Sequence, residues 1–224
     1  MSGARYTQFC ALARAAEIIG ERWTLLIIRE LLLGPMRFGD LEARLHGISP
    51  ALLTSRLGSL IESGLVQRAT LAAPFNAQVY ELTNTGRAIR PAIRELIRWG
   101  GRFLFPMRKD DTFEPDWALL ALDAIARRTP TPRCRIGLRV PHADGFAGFV
   151  VEGGPGGTRI TREDPAGGAV IEAHFDVLLQ ILAKRLPLDA AVASRQARIE
   201  GSARTLRRLP GLFDLATAKP RDAG

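Results

Sequence analysis

Residues 37–66 read RFGDLEARLHGISPALLTSRLGSLIESGLV, and this stretch decides the fold. Its first half predicts a short helix in which the apolar residues Phe38, Leu41 and Leu45 recur at i, i+3 and i+7, the stripe of a helix lying on a core. Gly47 stops it. A second helix opens with Ser49 as N-cap and Pro50 at N1, where proline's fixed φ is already helical and its missing N–H would have had no partner anyway. It runs to Gly64 with Leu53, Leu57, Leu60 and Ile61 on the side that can be buried. The opposite side carries Ala51, Ser55, Gly58, Ser59 and Glu62. Small residues on the outer face of a firmly capped helix allow it to approach another large surface closely, as a major-groove recognition helix must. Ordinary αα-hairpins share this pattern, so the flanking sequence has to arbitrate.

After Gly64, residues 65–71 and 78–82 alternate around a polar turn at Pro74 and Asn76, which predicts a β-hairpin. Helix, turn, helix, hairpin is the order of a winged helix. Upstream, residues 22–38 read RWTLLIIRELLLGPMRF. Together with Cys10, Gly20-Glu21-Arg22-Trp23-Thr24, Ile48-Ser49-Pro50, Leu53-Thr54, Arg56-Leu57, Glu62-Ser63-Gly64-Leu65-Val66 and Val79-Tyr80-Glu81-Leu82-Thr83, this run resembles the HxlR-type family of bacterial winged-helix regulators over residues 8–104. The resemblance implies a homodimer bound to double-stranded DNA, with helix one and the helix after the wing building the dimer interface. Family members commonly carry Lys or Arg where this chain has Ala51, Gly58 and, near the wing tip, Ala77. Fewer phosphate contacts imply weaker, less salt-sensitive binding. The expected DNA face is Arg37, Arg44, Ser49, Ala51, Thr54, Ser55, Arg56, Ser59, Arg68, Asn76 and Gln78; ordinary solvated surface is the plain alternative for each.

At 224 residues with 46% hydrophobic composition, the chain can bury one large core or two small ones. Its net charge of +8 favours polyanionic partners without specifying a fold. Residues 1–104 hold thirteen arginines and no lysine against eight acids, so the excess sits mildly in the winged-helix half. Cys10 and Cys134 are the only cysteines and lack metal-ligand spacing, so neither a disulfide framework nor a metal site is expected. A reducing cytoplasm fits. The most apolar run, residues 23–33, is broken by Arg29 and Glu30 and is too short to span a bilayer. No signal-peptide pattern opens the chain, and no membrane partner is expected.

In chain order, residues 1–9 read as a loose arm, 11–19 as helix one, and 23–32 as helix two with Trp23, Leu26, Ile27 and Leu31 facing the core. Thr83 is expected to cap a long helix to residue 99 with the stripe Ile89, Ile93, Leu96 and Ile97, kinked at Pro91. Charge without periodicity over 108–115 marks a domain boundary. The expected fold is mixed α/β. Residues 1–107 form a winged helix-turn-helix domain for DNA binding and dimerisation, mainly α with a β-hairpin wing. A linker with a connecting helix follows over 108–130, then a smaller α+β domain over 131–215 and a tail over 216–224. In that second domain strands are expected at 134–140, 148–152, 158–162 and 170–173, with Gly153-Gly154-Pro155-Gly156-Gly157 as a turn, and helices at 176–185, 188–193 and 203–209.

This second half is similar to sterol-carrier-protein-type lipid-binding domains. The similarity rests on the strands, on Phe175-Asp176-Val177-Leu178-Leu179, on Leu188-Asp189-Ala190-Ala191, and on Ala197-Arg198-Ile199-Glu200-Gly201-Ser202 leading to Leu206 and Leu209. It departs at Ser202, where the family usually has an acid. An apolar small molecule is therefore expected between the sheet and the helices over 177–182 and 206–213, against Phe146, Phe149, Val151, Ile160, Leu178, Leu179 and Leu182. Solid packing is the alternative, since a domain interface could cover the second apolar face equally well.

No catalytic residue, cofactor or metal is expected. His46, His142 and His174 are scattered, no nucleophile and base stand at a working spacing, and the glycine cluster lies between strands instead of before a helix. Cys10 has two readings. A cysteine ahead of a helix is often simply packed, whereas several HxlR-type regulators sense oxidants or electrophiles with a cysteine at the matching place, and a helix N-terminus favours thiolate. The whole reads as a homodimeric transcriptional regulator answering to an apolar ligand. The rival is a ligand-carrier or protein-interaction module whose winged helix no longer reads specific DNA.

Overall fold

The computed structural model describes residues 6–72, 74, 76–143 and 145–215. The tail over 216–224 and the first five residues of the N-terminal arm lie outside these described residues. The chain divides into two compact units, Met1–Ile93 and Arg94–Gly224. The division falls earlier than the boundary at 107 read from composition.

The first unit strings together α1 (Ala11–Ile19), α2 (Thr24–Leu33), α3 (Phe38–Arg44), α4 (Pro50–Glu62), β1 (Val66–Thr70), β2 (Gln78–Leu82) and α5 (Asn84–Arg87); α6 (Arg90–Gly100) begins within it. α4 forms for the reasons its sequence gives. The Ser49 side chain accepts the Leu52 N–H at 3.3 Å and Pro50 occupies the first turn. Leu53, Leu57 and Leu60 are buried, as are Leu41, Leu45 and Ile48 before them and Ile27, Ile28 and Leu31 on α2. Leu26, expected inside, is 40% exposed. α2 starts at Thr24, with Trp23 as its N-cap in the left-handed region at φ 78°, and its buried stripe runs through Ile27, Ile28, Leu31 and Leu32, so Leu26 turns outward.

β1 and β2 pair antiparallel, with Val66 opposite Leu82 and Arg68 opposite Tyr80. Met36 joins them through two backbone hydrogen bonds with Tyr80, at 3.0 and 2.8 Å. The long helix expected after the wing is instead two helices, α5 and α6. Pro91 sits in the first turn of α6, where it has no N–H for the Arg87 carbonyl and its ring would strike that carbonyl. The kink is therefore a full break. Just before it, Thr83 ties three segments together. Its hydroxyl donates to the Gly64 carbonyl at 2.7 Å and accepts the Gly86 N–H at 3.0 Å, while its own N–H donates to the Leu65 carbonyl at 2.9 Å. Gly86 packs so closely beneath that a Cβ there would lie 2.1 Å from the Leu65 oxygen.

The second unit contains α7 (Pro115–Ile125), β3 (Cys134–His142), β4 (Gly145–Gly154), β5 (Gly157–Thr161), β6 (Ala169–Ala173), α8 (Phe175–Leu182), α9 (Leu188–Ala193), β7 (Ala197–Glu200) and α10 (Ala203–Leu206), ending in a 3₁₀ turn, Leu209–Leu212. The five strands form one sheet in the order β5-β4-β3-β6-β7, antiparallel except for the central β3–β6 pair. β7 was not among the expected strands. It has only four residues, with Ala197 buried while Arg198 and Glu200 face out. On the far edge, the Thr158 N–H donates to the Arg127 carbonyl at 2.8 Å.

α7 is not a connecting helix. Ala118, Leu122 and Ile125 belong to the same buried cluster as Ile136, Leu138, Phe149 and Ile171 of the sheet and Leu178 and Leu182 of α8. Asp123 fixes its outer side, accepting from Arg94 and Arg128 at 2.8 and 2.7 Å. Burial pushes the Asp123 carboxyl up, but the hydrogen bonds from Arg128 and Arg94 outweigh it and hold the group below the usual carboxylate range.

Two stability measurements follow from these contacts. Gly86→Ala forces a methyl into the Leu65 carbonyl, and thermal melts should register a loss of about 1–3 kcal/mol, in the range of overpacked sites. Because Asp123 titrates lower folded than unfolded, its contribution is present above the ordinary carboxylate value and is lost as pH falls through its folded one. Asp123→Asn should therefore lower Tm at neutral pH and flatten the acid limb of Tm against pH.

Candidate nucleic-acid interface

The outer face of α4 presents Ala51, Thr54, Ser55 and Ser59 to solvent, with Gly58 half-buried beside them. Much of its polar character is turned inward on the helix: the Ser59 hydroxyl donates to the Ser55 carbonyl at 3.2 Å, and the Ser63 hydroxyl to the Ser59 carbonyl at 2.8 Å. Ser49 spends its oxygen on the cap. The surface left over is small, shallow and close to the backbone. That shape suits a groove floor.

The basic residues divide into two groups. Arg37 is exposed at the N-cap of α3, and Arg68 is exposed on the wing with its guanidinium 6.0 Å from the Tyr80 ring. Arg56 instead reaches Glu21 at 2.8 Å, and its Nε is buried without a hydrogen-bond partner. Arg44 joins Glu30 at 3.2 Å, and Arg29 holds the other Glu30 oxygen at 2.8 Å. Glu30 is fully buried on α2. A buried carboxylate costs several kcal/mol unless paired, so Arg44 is committed to the fold. On the wing, the Gln78 amide donates to the Thr70 hydroxyl at 2.7 Å, and Asn76 takes a positive φ of 36° in the turn. The expected DNA face is thus gathered on one unit, but Arg44 and Arg56 are held by acids that the sequence reading did not assign to them. Glu30 did carry a signal, since an acid in the middle of an apolar helix needs a cation from elsewhere.

Cys10 is exposed in the single chain, at the N-cap of α1. Cys134 is also a free thiol, and burial pushes it up. Among the described residues no group of three or more His, Cys, Asp or Glu is placed to hold a metal, and no helix is long and apolar enough to cross a membrane.

The expected ligand residues are mostly elsewhere than at a cavity. Phe149, Val151, Leu178 and Leu182 are buried in the core of the second unit, Ile160 packs on its margin, and Phe146 is 56% exposed. Sheet and helix side chains share one buried cluster there. A cavity of about 480 Å³ does exist in this unit, beyond the N-terminal end of α8, and of the expected residues only Leu179 borders it.

Residues 18–108 match the HxlR-like helix-turn-helix family. Over 94 residues, 42% of this chain and 59% of the relative, the sequence is 45% identical to an uncharacterized HTH-type transcriptional regulator of Mycobacterium tuberculosis. The chain therefore spans about three fifths of that relative's length. It is 33% identical to the HTH-type transcriptional regulator YodB of Bacillus subtilis over 92 residues, 41% of this chain and 82% of that protein. The solved structure of reduced YodB is similar at 30% identity and a TM-score of 0.39, covering 45% of this chain and 100% of that one.

The two groups of arginines should separate in a salt titration against duplex DNA. Arg37→Ala and Arg68→Ala should each lower the slope of log K against log salt by about one, the loss of one phosphate contact. Arg44→Ala should instead show as a lowered Tm, because it removes one of the cations that pair the buried Glu30.

Proposed function

The chain belongs to the HxlR-like helix-turn-helix family, and from that membership we propose that it is a DNA-binding transcriptional regulator. α4 would enter the major groove with the β1–β2 wing on the adjoining backbone. The observation that carries this reading is the outer face of α4, capped by Ser49 and free of bulky side chains from Ala51 to Ser59. Thr54 and Ser55 are the candidates for base edges; Arg37 and Arg68 are those for phosphates.

We further propose that it works as a homodimer. Phe9, Leu12 and Ile18 at α1, and Leu96 and Trp99 on α6, are large apolar side chains left exposed in the single chain. A monomer gains nothing from presenting them to water. A dimer of winged helices would match an inverted-repeat operator, and a ligand favouring one dimer geometry would shift the spacing of the two α4 helices. The cytoplasm is the proposed compartment. Exposed Cys10, at the start of one of these helices, supports oxidant sensing as a second input.

One observation favours the rival reading, a carrier or interaction module that no longer reads specific DNA. Arg44 and Arg56 are engaged by Glu30 and Glu21. A gel-shift titration at low salt against the DNA flanking its own gene separates the two: preference for one duplex over bulk DNA is expected, and equal affinity for every duplex overturns the regulator reading. Leu96→Glu should give a folded monomer by light scattering at micromolar concentration, with operator affinity lost. A monomeric native chain would contradict the dimer.

A further inference from the structure

The cavity of the second unit plays no part in the contacts with DNA proposed above, and its chemistry is unlike the rest of the chain. Four aromatic side chains contribute to its wall: Phe105, Phe113, Trp117 and Phe175. Phe113 and Phe175 are stacked, their ring centroids 5.1 Å apart and their planes 26° from parallel. Leu104, Met107 and Leu179 add aliphatic surface. At about 480 Å³ the space is of the size that takes small organic molecules.

Its charge decides what kind of molecule. Although the chain carries a net charge of +8, no lysine or arginine among the described residues lines the cavity. The ionisable groups that do are two carboxylates, Asp111 and Asp176, and two imidazoles, His142 and His174. Asp111 is fixed by accepting the Arg108 N–H at 2.8 Å, and Asp176 sits in the first turn of α8. A fatty acid would bring a third carboxylate to this wall with no guanidinium or ammonium to receive it. A cation would meet two carboxylates together with the electron-rich faces of the rings, the pairing that attracts ammonium and guanidinium groups. A planar body would extend the stack that Phe113 and Phe175 begin.

We propose that this cavity binds a planar aromatic cation. The inference deepens the ligand-responsive reading of the second unit and replaces the acyl or neutral lipid suggested by its resemblance to lipid carriers. Its role in regulation rests on that reading, but the binding itself does not.

Calorimetric titration of the full chain with berberine, an aromatic quaternary cation, tests it, with palmitate and the anionic dye 1-anilinonaphthalene-8-sulfonate as comparisons. Saturable one-to-one binding of berberine is expected, at least tenfold tighter than either anion. Asp176→Asn should weaken it about tenfold, as loss of one ion pair in a desolvated site would. Met107→Trp alters a rim residue that is 56% exposed and so leaves the core alone; it should block entry and abolish binding. The proposal is overturned if berberine fails to bind, if either anion binds as tightly, or if both variants, folded by circular dichroism, bind berberine like the native chain. Repeating the operator gel shift with berberine present keeps the two ideas apart. Unchanged operator affinity on saturation with berberine supports the site and removes its regulatory role. Palmitate shifting operator affinity where berberine does not bind keeps the ligand response and removes this assignment.

Discussion

One carbonyl group, that of Leu65, organises the first unit. It lies where α4 has just ended and β1 is about to begin, it accepts the Thr83 N–H, and the backbone of Gly86 is pressed against it. The end of α4, the return strand of the wing and the helix that leaves the wing therefore meet within a few ångströms. Any side chain at 86 would push them apart. The angle between α4 and its wing is in this sense a packing constraint on a glycine, and at the same point the Thr83 hydroxyl both donates and accepts while its backbone N–H makes a third bond.

Most of the first unit was legible because its signals are local. Ser49-Pro50 starts α4, Gly64 follows its end, Thr83 caps α5, and the 3.6-residue period of Leu53, Leu57 and Leu60 marks the buried side; each needs only neighbours in sequence to be read. Pro91 was also legible, but its effect was underestimated. What could not be read is partnership at a distance. Glu21 finds Arg56 from 35 positions away and Glu30 finds Arg44 from 14, and nothing in a helical period says that these pairs will form. α7 looked like a connector because the charged stretch before it resembles a domain boundary, whereas Ala118 and Leu122 are wholly buried in the second unit. The cavity escaped for a related reason. The apolar residues on the strands and on α8 satisfy one another, and the ligand-sized space is left where side chains from the 104–113 segment, α7, the β3–β4 turn and the start of α8 fail to fill it.

Burial of Glu30 also bears on how strongly this surface can hold a polyanion. Arginine taken into an internal ion network no longer competes for phosphate, so the formal charge of the first unit overstates the charge it can present. The relevant count is of guanidinium groups that remain in water, such as Arg37 and Arg68, and not of arginines in the sequence. Base-edge and shape contacts made by α4 would then carry a larger share of the discrimination than in a heavily basic winged helix.

The sheet of the second unit has a further consequence, which concerns what the protein does not stick to. Its β5 edge is engaged at Thr158, whose N–H donates to the Arg127 carbonyl. Its β7 edge is four residues long and bears Arg198 and Glu200 with side chains 86% and 61% exposed. A short charged edge, and one with a ladder donor already engaged, make poor templates for a stray strand. In the homodimer proposed above, copies would meet instead through the apolar side chains at α1 and α6, and side chains on helices impose a specific geometry that backbone pairing along a sheet edge does not.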